Sequence, residues 1–213
     1  MISFSAALRE RSGNAHSMNE SSGFMEELLR GEGTREDYVN LVVQHWFIYA
    51  ALEAATERMR NDPVAKPFIS DKLTRLPALE ADLDFLIGPD WRSQIAPLPT
   101  TLRYVERIEQ VGSVWAGGFV AHHYTRYLGD LSGGIHIGRV IKRQFGFDTN
   151  GIGFYLFNDI ADPTEFKNVY RTQLDAAPWD DAERERVIAE VLRAYQYNTE
   201  LFADLARVKS EAA

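Results

Sequence analysis

Tyr124-Thr125-Arg126-Tyr127-Leu128-Gly129-Asp130-Leu131-Ser132-Gly133-Gly134 lies inside residues 114–145, a segment that otherwise reads as one long helix. Each interior glycine costs a helix about 0.5–1 kcal/mol relative to alanine. Three glycines within six residues should weaken or kink the run, yet the apolar periodicity resumes on both sides. Such a helix lets its backbone come close to something. That could be another helix, as Gly134 and Gly138 four apart would allow, or a flat, rigid ligand. Asp130 inside the run either caps a helix or holds a water beside such a ligand, and spacing alone leaves both open.

Outward from this run the chain reads as helices throughout. Residues 4–12 form a short first helix, and 14–30 form a second that ends at Gly31 and Gly33. Thr34 caps a long helix with Glu36 and Asp37 in its first turn, where the helix dipole favours acids. Tyr38, Leu41, Val42, His45, Tyr49 and Leu52 give that helix an apolar face of 3.6-residue period, and Val39, Val43, Trp46, Phe47 and Ala50 give it a second, which makes it central. Asn61-Asp62-Pro63 stops it. Leu76, Leu79, Leu83 and Leu86 mark another helix, and a further one runs from Thr100 or Thr101 to about Gln110. A loop spans roughly 146–163, a helix covers 164–176, and Asp180 with Glu183 opens the last helix in a capping-box pattern. The expected fold class is all-α, with residues 1–213 as a single domain.

Composition narrows the function classes. The 213 residues include no cysteine, which excludes disulfides, thiolate metal ligands, iron–sulfur clusters and a cysteine nucleophile. The 23 Lys and Arg against 31 Asp and Glu leave a net charge of −8, a poor basis for binding nucleic acid. No stretch approaches the ~20 apolar residues of a membrane helix, and neither end reads as a signal peptide or tail anchor. The expectation is a cytoplasmic protein without a membrane anchor.

The five histidines are His16, His45, His122, His123 and His136. No two lie four apart, and none follows a Glu by three residues, so the Glu-x-x-His element of di-iron bundles is missing. Glu20 shares a helical face with His16 and could accept its second ring N–H, as a carboxylate does behind a metal-bound imidazole; a surface histidine with an incidental acid reads the same way. His45 reads as a hydrogen-bonded core histidine, and His122, His123 and His136 as structural. Lys167 and Arg171 sit four apart on one helical face, which by spacing alone reads as ordinary solvated charge.

Taken together these residues resemble the haem oxygenase family. The run from Tyr124 to Gly134 is similar, almost letter for letter, to that family's distal-helix signature. The likeness extends from the His16 segment through Tyr49-Ala50-Ala51-Leu52-Glu53 to the final helix. The resemblance implies a haem-oxygenase-like helical fold with haem, at once cofactor and substrate, between a proximal and a glycine-kinked distal helix. It implies His16 as the axial iron ligand, oriented by Glu20. Gly129, Gly133 and Gly134 would let the distal helix lie on the haem face, and Asp130 would hold a water next to iron-bound dioxygen. Tyr49, Arg126 and Asn198 would complete the distal hydrogen-bond network. Lys167 and Arg171, with Arg9 and the Tyr124 hydroxyl, would clamp the propionates and so fix which meso carbon reacts. The implied products are biliverdin, carbon monoxide and ferrous iron.

Gly13, His123 and Ile135 depart from the family's usual residues, and Gly13 removes a basic group from the propionate clamp. Two other readings compete: a haem carrier or sensor without turnover, and a helical enzyme acting on another small molecule. Asp130 favours the oxygenase, since a carrier needs no distal proton relay. An electron donor such as ferredoxin or a flavoprotein reductase is also implied, with Arg139, Lys142 and Arg143 as a candidate docking cluster. The oligomeric state is not readable from the sequence.

Overall fold

The computed structural model describes the backbone at residues 2–20 and 23–212, and the side chains there except at positions 16, 18–20 and 212. Among the described residues there are helices and no strand. They comprise α1 (Phe4–Glu20), α2 (Gly23–Arg30), α3 (Arg35–Met59), α4 (Leu76–Leu86), α5 (Pro99–Val111), α6 (Ala116–His123), α7 (Ile135–Phe145), α8 (Pro163–Ala176) and α9 (Asp181–Ala212).

Local capping sets the starts of α3 and α9 where the sequence places them. Thr34 Oγ1 accepts from the Asp37 amide and the Asp37 carboxylate accepts from the Thr34 amide, a reciprocal box that starts α3. Asp180 Oδ1 likewise accepts from the Glu183 amide at 2.8 Å ahead of α9. The Glu183 carboxylate, however, turns to the Trp115 indole N–H instead of closing the box.

The N-terminal boundary differs from expectation. A single helix passes straight through Gly13 to Glu20, instead of ending near residue 12. Gly13 is exposed and meets nothing within 4 Å, so it costs only its own propensity, about 1 kcal/mol, which seventeen residues of helix absorb. Phe4, Leu8 and Ser12 form the buried stripe of α1, and the next step of that register is position 16.

Helix α3 lies at the centre. Tyr38, Leu41, Val42, Tyr49 and Leu52 are essentially inaccessible, while Val39, Trp46, Phe47 and Ala50 are half-buried, as expected of its second face. It packs on α4, α5 and α6, and α9 closes the bundle against α1, α5 and α6. The Asp175 carboxylate at the end of α8 accepts from the Ser5 amide at 2.7 Å, fixing the start of α1.

The loop after α7 is tied down rather than loose. Asp82 on α4 is buried, and its carboxylate accepts from the amides of Gly151, Gly153 and Phe154 at 2.8–2.9 Å. The Tyr38 hydroxyl donates to the Gly151 carbonyl at 2.5 Å, and Arg75 Nη1 to the Leu156 carbonyl at 2.9 Å. These bonds hold Phe154 and Tyr155 against the glycine-rich run.

Candidate active site

The glycine-rich run between α6 and α7 is neither a plain helix nor a clean break. Residues Tyr124–Leu128 and Asp130–Gly134 are wound as π-helix, with Gly129 between the two stretches. π-Turns are rare and tend to occur where a helix has been reshaped for a function. The glycines divide the two roles that spacing left open. A Cβ on Gly138 would come within 2.6 Å of Tyr155 Cβ, so Gly138 provides close packing, whereas one on Gly134 would meet Asp130 Cβ and the Tyr155 ring at ordinary contact distances of 3.4 and 3.6 Å. A Cβ on Gly129 would meet nothing within 4 Å, because that backbone borders open space.

Two cavities meet at Gly129. The first, of about 170 Å³, reaches inward past Asp130, Gly133, Arg126 and Asn198. The second opens between α1 and the glycine-rich run, lined by Arg9, Ser12, Gly13 and Ser17 on one side and by Tyr124, Gly129 and Ser132 on the other, with Arg171 at its edge. Helix α1 therefore faces the glycine run across a slot. The backbone at His16 and Glu20 belongs to that helix, while their side chains lie outside the described residues.

Asp130 is 9% exposed at the base of the first cavity. Burial pushes its carboxyl up to about 6, although nearby Arg126 and the Tyr49 hydroxyl both pull it back down. Tyr49, inaccessible on α3, donates its hydroxyl to Asp130 Oδ2. Burial also holds that phenol well above its ordinary value, so it remains a donor. Asp130 thus caps no helix; it faces a cavity with one oxygen engaged. Arg126 donates to Asn198 Oδ1 at 3.0 Å, and its guanidinium lies 5.0 Å over the Tyr49 ring. Burial works against that charge, but Tyr49 and Asp130 outweigh it and raise the Arg126 pKa. Tyr49, Arg126, Asp130 and Asn198 are therefore one connected buried group.

Arg9, Tyr124 and Arg171, three of the residues expected to clamp an anion, line the second cavity, and Lys167 does not. Burial raises the pKa of the Tyr124 phenol, and the charges of Arg171 and Arg9 act on it in the opposite sense. Lys167 donates to Ser132 Oγ at 3.0 Å, tethering α8 to the run, and burial lowers its pKa, with Arg171 adding to the effect.

Sequence reasoning misplaced two histidines. His45 is buried but lines the first cavity, and its Nδ1 has no hydrogen-bond partner among the described residues, so it is not a satisfied core histidine. His136 is exposed and lines that cavity too. His122 and His123 are structural as expected, bonded to Glu190 and to the Tyr170 hydroxyl at 2.9 Å each. Asp82 and Tyr155 gave no local signal, since their partners are distant in sequence.

Comparison with known proteins agrees with this architecture. The family model described as "Heme oxygenase" matches residues 2–204. The chain is 34% identical over 204 residues to Heme oxygenase 1 of the cyanobacterium Synechocystis sp., covering 96% of this chain and 85% of that one. It is 37% identical to human Heme oxygenase 1, over 94% of this chain and 71% of the human protein. The crystal structure of the Synechocystis enzyme in complex with heme superposes with a TM-score of 0.93, covering 99% and 96% of the two chains. Heme oxygenase from Leptospira interrogans superposes with a TM-score of 0.89 at 33% identity, covering 94% and 98%. With a family model matched over nearly the whole chain and relatives above 30% identity that superpose along its length, the chain belongs to the haem oxygenase family.

Proposed function

We propose that this chain binds haem between α1 and the glycine-rich run, through His16, and opens the ring at a meso carbon to biliverdin, carbon monoxide and ferrous iron. The observation that carries the reading is the open face of Gly129 beside a buried, Tyr49-bonded Asp130. The residues fit the group. Gly129 leaves room for a flat ring, the slot continues between Gly13 and Tyr124, and Arg9, Arg171 and Tyr124 meet at its edge to receive two carboxylates. His16 would hold the iron and Glu20 would orient its imidazole.

Haem, when bound, supplies both the iron that takes up dioxygen and the carbon framework that is oxidised. The chain's residues supply position and protons. Asp130 Oδ2 is fixed by Tyr49, which leaves Oδ1 to hold a water on the cavity side. A carboxyl near 6 exchanges protons at neutral pH at little cost either way. Arg126, held by Asn198, keeps this carboxyl from being pushed higher. Gly129, Gly133 and Gly134 would let backbone lie close to the ring face and so limit the space on that side of it. Arg9, Arg171, Lys167 and Tyr124 fix the rotation of the ring in its slot.

Electrons come from a separate donor, a ferredoxin or a flavoprotein reductase. Arg139 and Arg143 are exposed on α7 and available to an acidic partner, whereas Lys142 is engaged by Asp148 at 2.8 Å. No described helix is long and apolar enough to cross a membrane, and the cytoplasm is the proposed compartment. Asp130 separates this reading from that of a haem carrier, which would not need a proton-holding group beside the ring.

The test is to add ferric haem, record the Soret band, and then supply ascorbate or a reductase under oxygen. The expected result is decay of a histidine-ligated spectrum into biliverdin absorption, with carbon monoxide trapped. His16→Ala should show altered ligation, and Asp130→Ala should keep haem but lose biliverdin. A Soret band stable to a competent reductase would make the protein a carrier. Full biliverdin yield in Asp130→Ala would remove the role given to that carboxylate.

A further inference from the structure

A third cavity, of about 340 Å³, shares no lining residue with the two at Gly129. It is enclosed by α3, by the 70–76 segment that leads into α4, and by His123 and Tyr127 at the junction of α6 and the glycine-rich run. Its floor carries polar atoms that the fold leaves unused. Tyr127 is 2% exposed and its hydroxyl has no hydrogen-bond partner among the described residues. His123 is 1% exposed and uses Nδ1 alone, bonded to the Tyr170 hydroxyl at 2.9 Å. Glu53 takes the Arg75 and Leu76 amides on Oε1, at 2.5 and 3.1 Å, and its Oε2 accepts from neither. The Tyr104 and Tyr155 hydroxyls are sealed off unpaired; the Tyr127 hydroxyl and His123 Nε2 are not, and open on the cavity they line. Native interiors leave few buried polar atoms unpaired, so these ask for a partner.

The side chains are held in place. The His123 ring packs 4.5 Å from Tyr127 and is stacked on Tyr170 at 5.7 Å. The Tyr127 ring stands edge-on to Tyr49 at 5.6 Å, where the cavity borders the distal group. Burial pushes the His123 imidazole down to about 3, so it is neutral, and the tautomer with Nδ1–H bonded to Tyr170 leaves Nε2 an acceptor. The lining has a charge of one sign. Glu53, Glu57 and Asp71 face a single guanidinium, Arg60, which Glu57 and Asp71 hold at 3.0 Å each. Ala54, Leu73 and Leu76 supply apolar surface. Among the described residues no three histidine or carboxylate side chains are grouped to hold a metal ion, so the set suits an organic cation. A primary ammonium has three N–H donors, one for each free acceptor.

We propose that this cavity binds a small primary amine as its ammonium ion, with the nitrogen shared by Glu53 Oε2, the Tyr127 hydroxyl and His123 Nε2, and the carbon body against Leu73 and Leu76. The site is separate from the haem slot and does not depend on what the slot binds. Its selectivity is for charge and size: the carboxylates favour a cation, and the three acceptors favour one with three donors over a neutral alcohol of the same shape.

The test is calorimetric titration of the full chain with benzylammonium and with its neutral analogue benzyl alcohol, without haem so that no iron can take up the amine. The expected result is one-to-one binding of the ammonium at millimolar affinity or better. The alcohol should bind about tenfold more weakly or worse. Tyr127→Phe and Glu53→Gln, both close in shape to the residues they replace, should each weaken the ammonium by about tenfold, the scale of one hydrogen bond to a charged group. Ala54→Phe, at an exposed position of the same lining, should block the cavity without disturbing the core. Crystals soaked in the amine should place its nitrogen within hydrogen-bond distance of Glu53 Oε2 and the Tyr127 hydroxyl. Titration without saturation, alcohol that binds as tightly as the ammonium, or binding unmoved in all three variants overturns the site. Magnesium that displaces the amine and is itself lost in Glu53→Gln would make this a metal site, and overturns the proposal too.

Discussion

The Tyr49 hydroxyl donates to Asp130 Oδ2, a contact that joins the central helix α3 to the glycine-rich run across eighty-one positions of sequence. It fixes one oxygen of a carboxyl whose burial makes it a weak acid, and the other oxygen is left to the cavity. The same burial gives Asp130 a thermodynamic cost that can be measured without haem.

With its folded pKa raised from 3.8 to about 6, the native state binds this proton more tightly than the unfolded chain. The linkage sign follows: Asp130 costs nothing below about pH 4, and its penalty grows as pH rises through about 6. At 1.36 kcal/mol per unit, the full penalty at pH 8 is about 3 kcal/mol. Asp130→Asn should therefore be more stable than wild type at pH 8, by up to that amount, with the difference shrinking towards pH 4. Denaturant titrations at both pH values check it, and equal stabilities at pH 8 would show that Asp130 is not desolvated in solution.

Tyr49→Phe should move the Asp130 midpoint further above 6, because the hydroxyl stabilises the ionised carboxylate and only Arg126 and Arg75 would remain to oppose burial. Carboxyl 13C shifts followed against pH provide the measurement. An unmoved midpoint would mean that the hydrogen bond is not populated in solution.

The two glycine roles predict opposite outcomes for the same substitution. Gly138→Ala places a methyl against Tyr155 Cβ and should destabilise by about 1–3 kcal/mol, despite alanine's better helix propensity. Gly129→Ala meets no neighbour and should leave the haem-free protein unchanged or more stable by up to about 1 kcal/mol, while weakening haem binding. Thermal melts with and without haem separate the two; haem binding unimpaired in Gly129→Ala would place the ring elsewhere.

How much of this was legible in the sequence depended on distance along the chain. The starts of α3 and α9 could be read because Thr34–Asp37 and Asp180–Glu183 bond within one turn. The break expected after residue 12 was misread because an exposed glycine in a long helix costs too little to end it. His45 sits on the apolar face of α3, so periodicity correctly made it buried but could not show that a cavity, and not a partner, lies opposite its ring. Asp82 reads as an ordinary polar position of α4, and the three amides it holds come from residues 151–154. Lys167 and Arg171 carried no more than a spacing; what that face meets, Ser132 bonded to Lys167 and the Tyr124 phenol under the charge of Arg171, lies on another element.

That last placement leads to a prediction about product identity. Arg9 and Arg171 come from α1 and α8 and flank Tyr124 at the edge of the slot, while Gly13 offers no cation one turn along α1. Among the described residues Arg171 is bonded to its own helix neighbour Asn168, at 3.1 Å, an exposed contact that a carboxylate of the ligand can readily replace. With few cations setting the ring's rotation, losing one should matter more to the direction of cleavage than to affinity, because the buried face of the ring keeps its apolar contacts. Arg171→Ala should therefore bind haem within about tenfold of wild type, the ~1.4 kcal/mol scale of one partly exposed charge pair. It should also convert a single biliverdin isomer into a mixture, or move the cleavage to another meso carbon. Chromatographic separation of the isomers from single-turnover reactions reads this directly. An unchanged isomer pattern in Arg171→Ala and in the Arg9→Ala/Arg171→Ala double variant would show that the slot's shape, and not these cations, sets the ring's rotation.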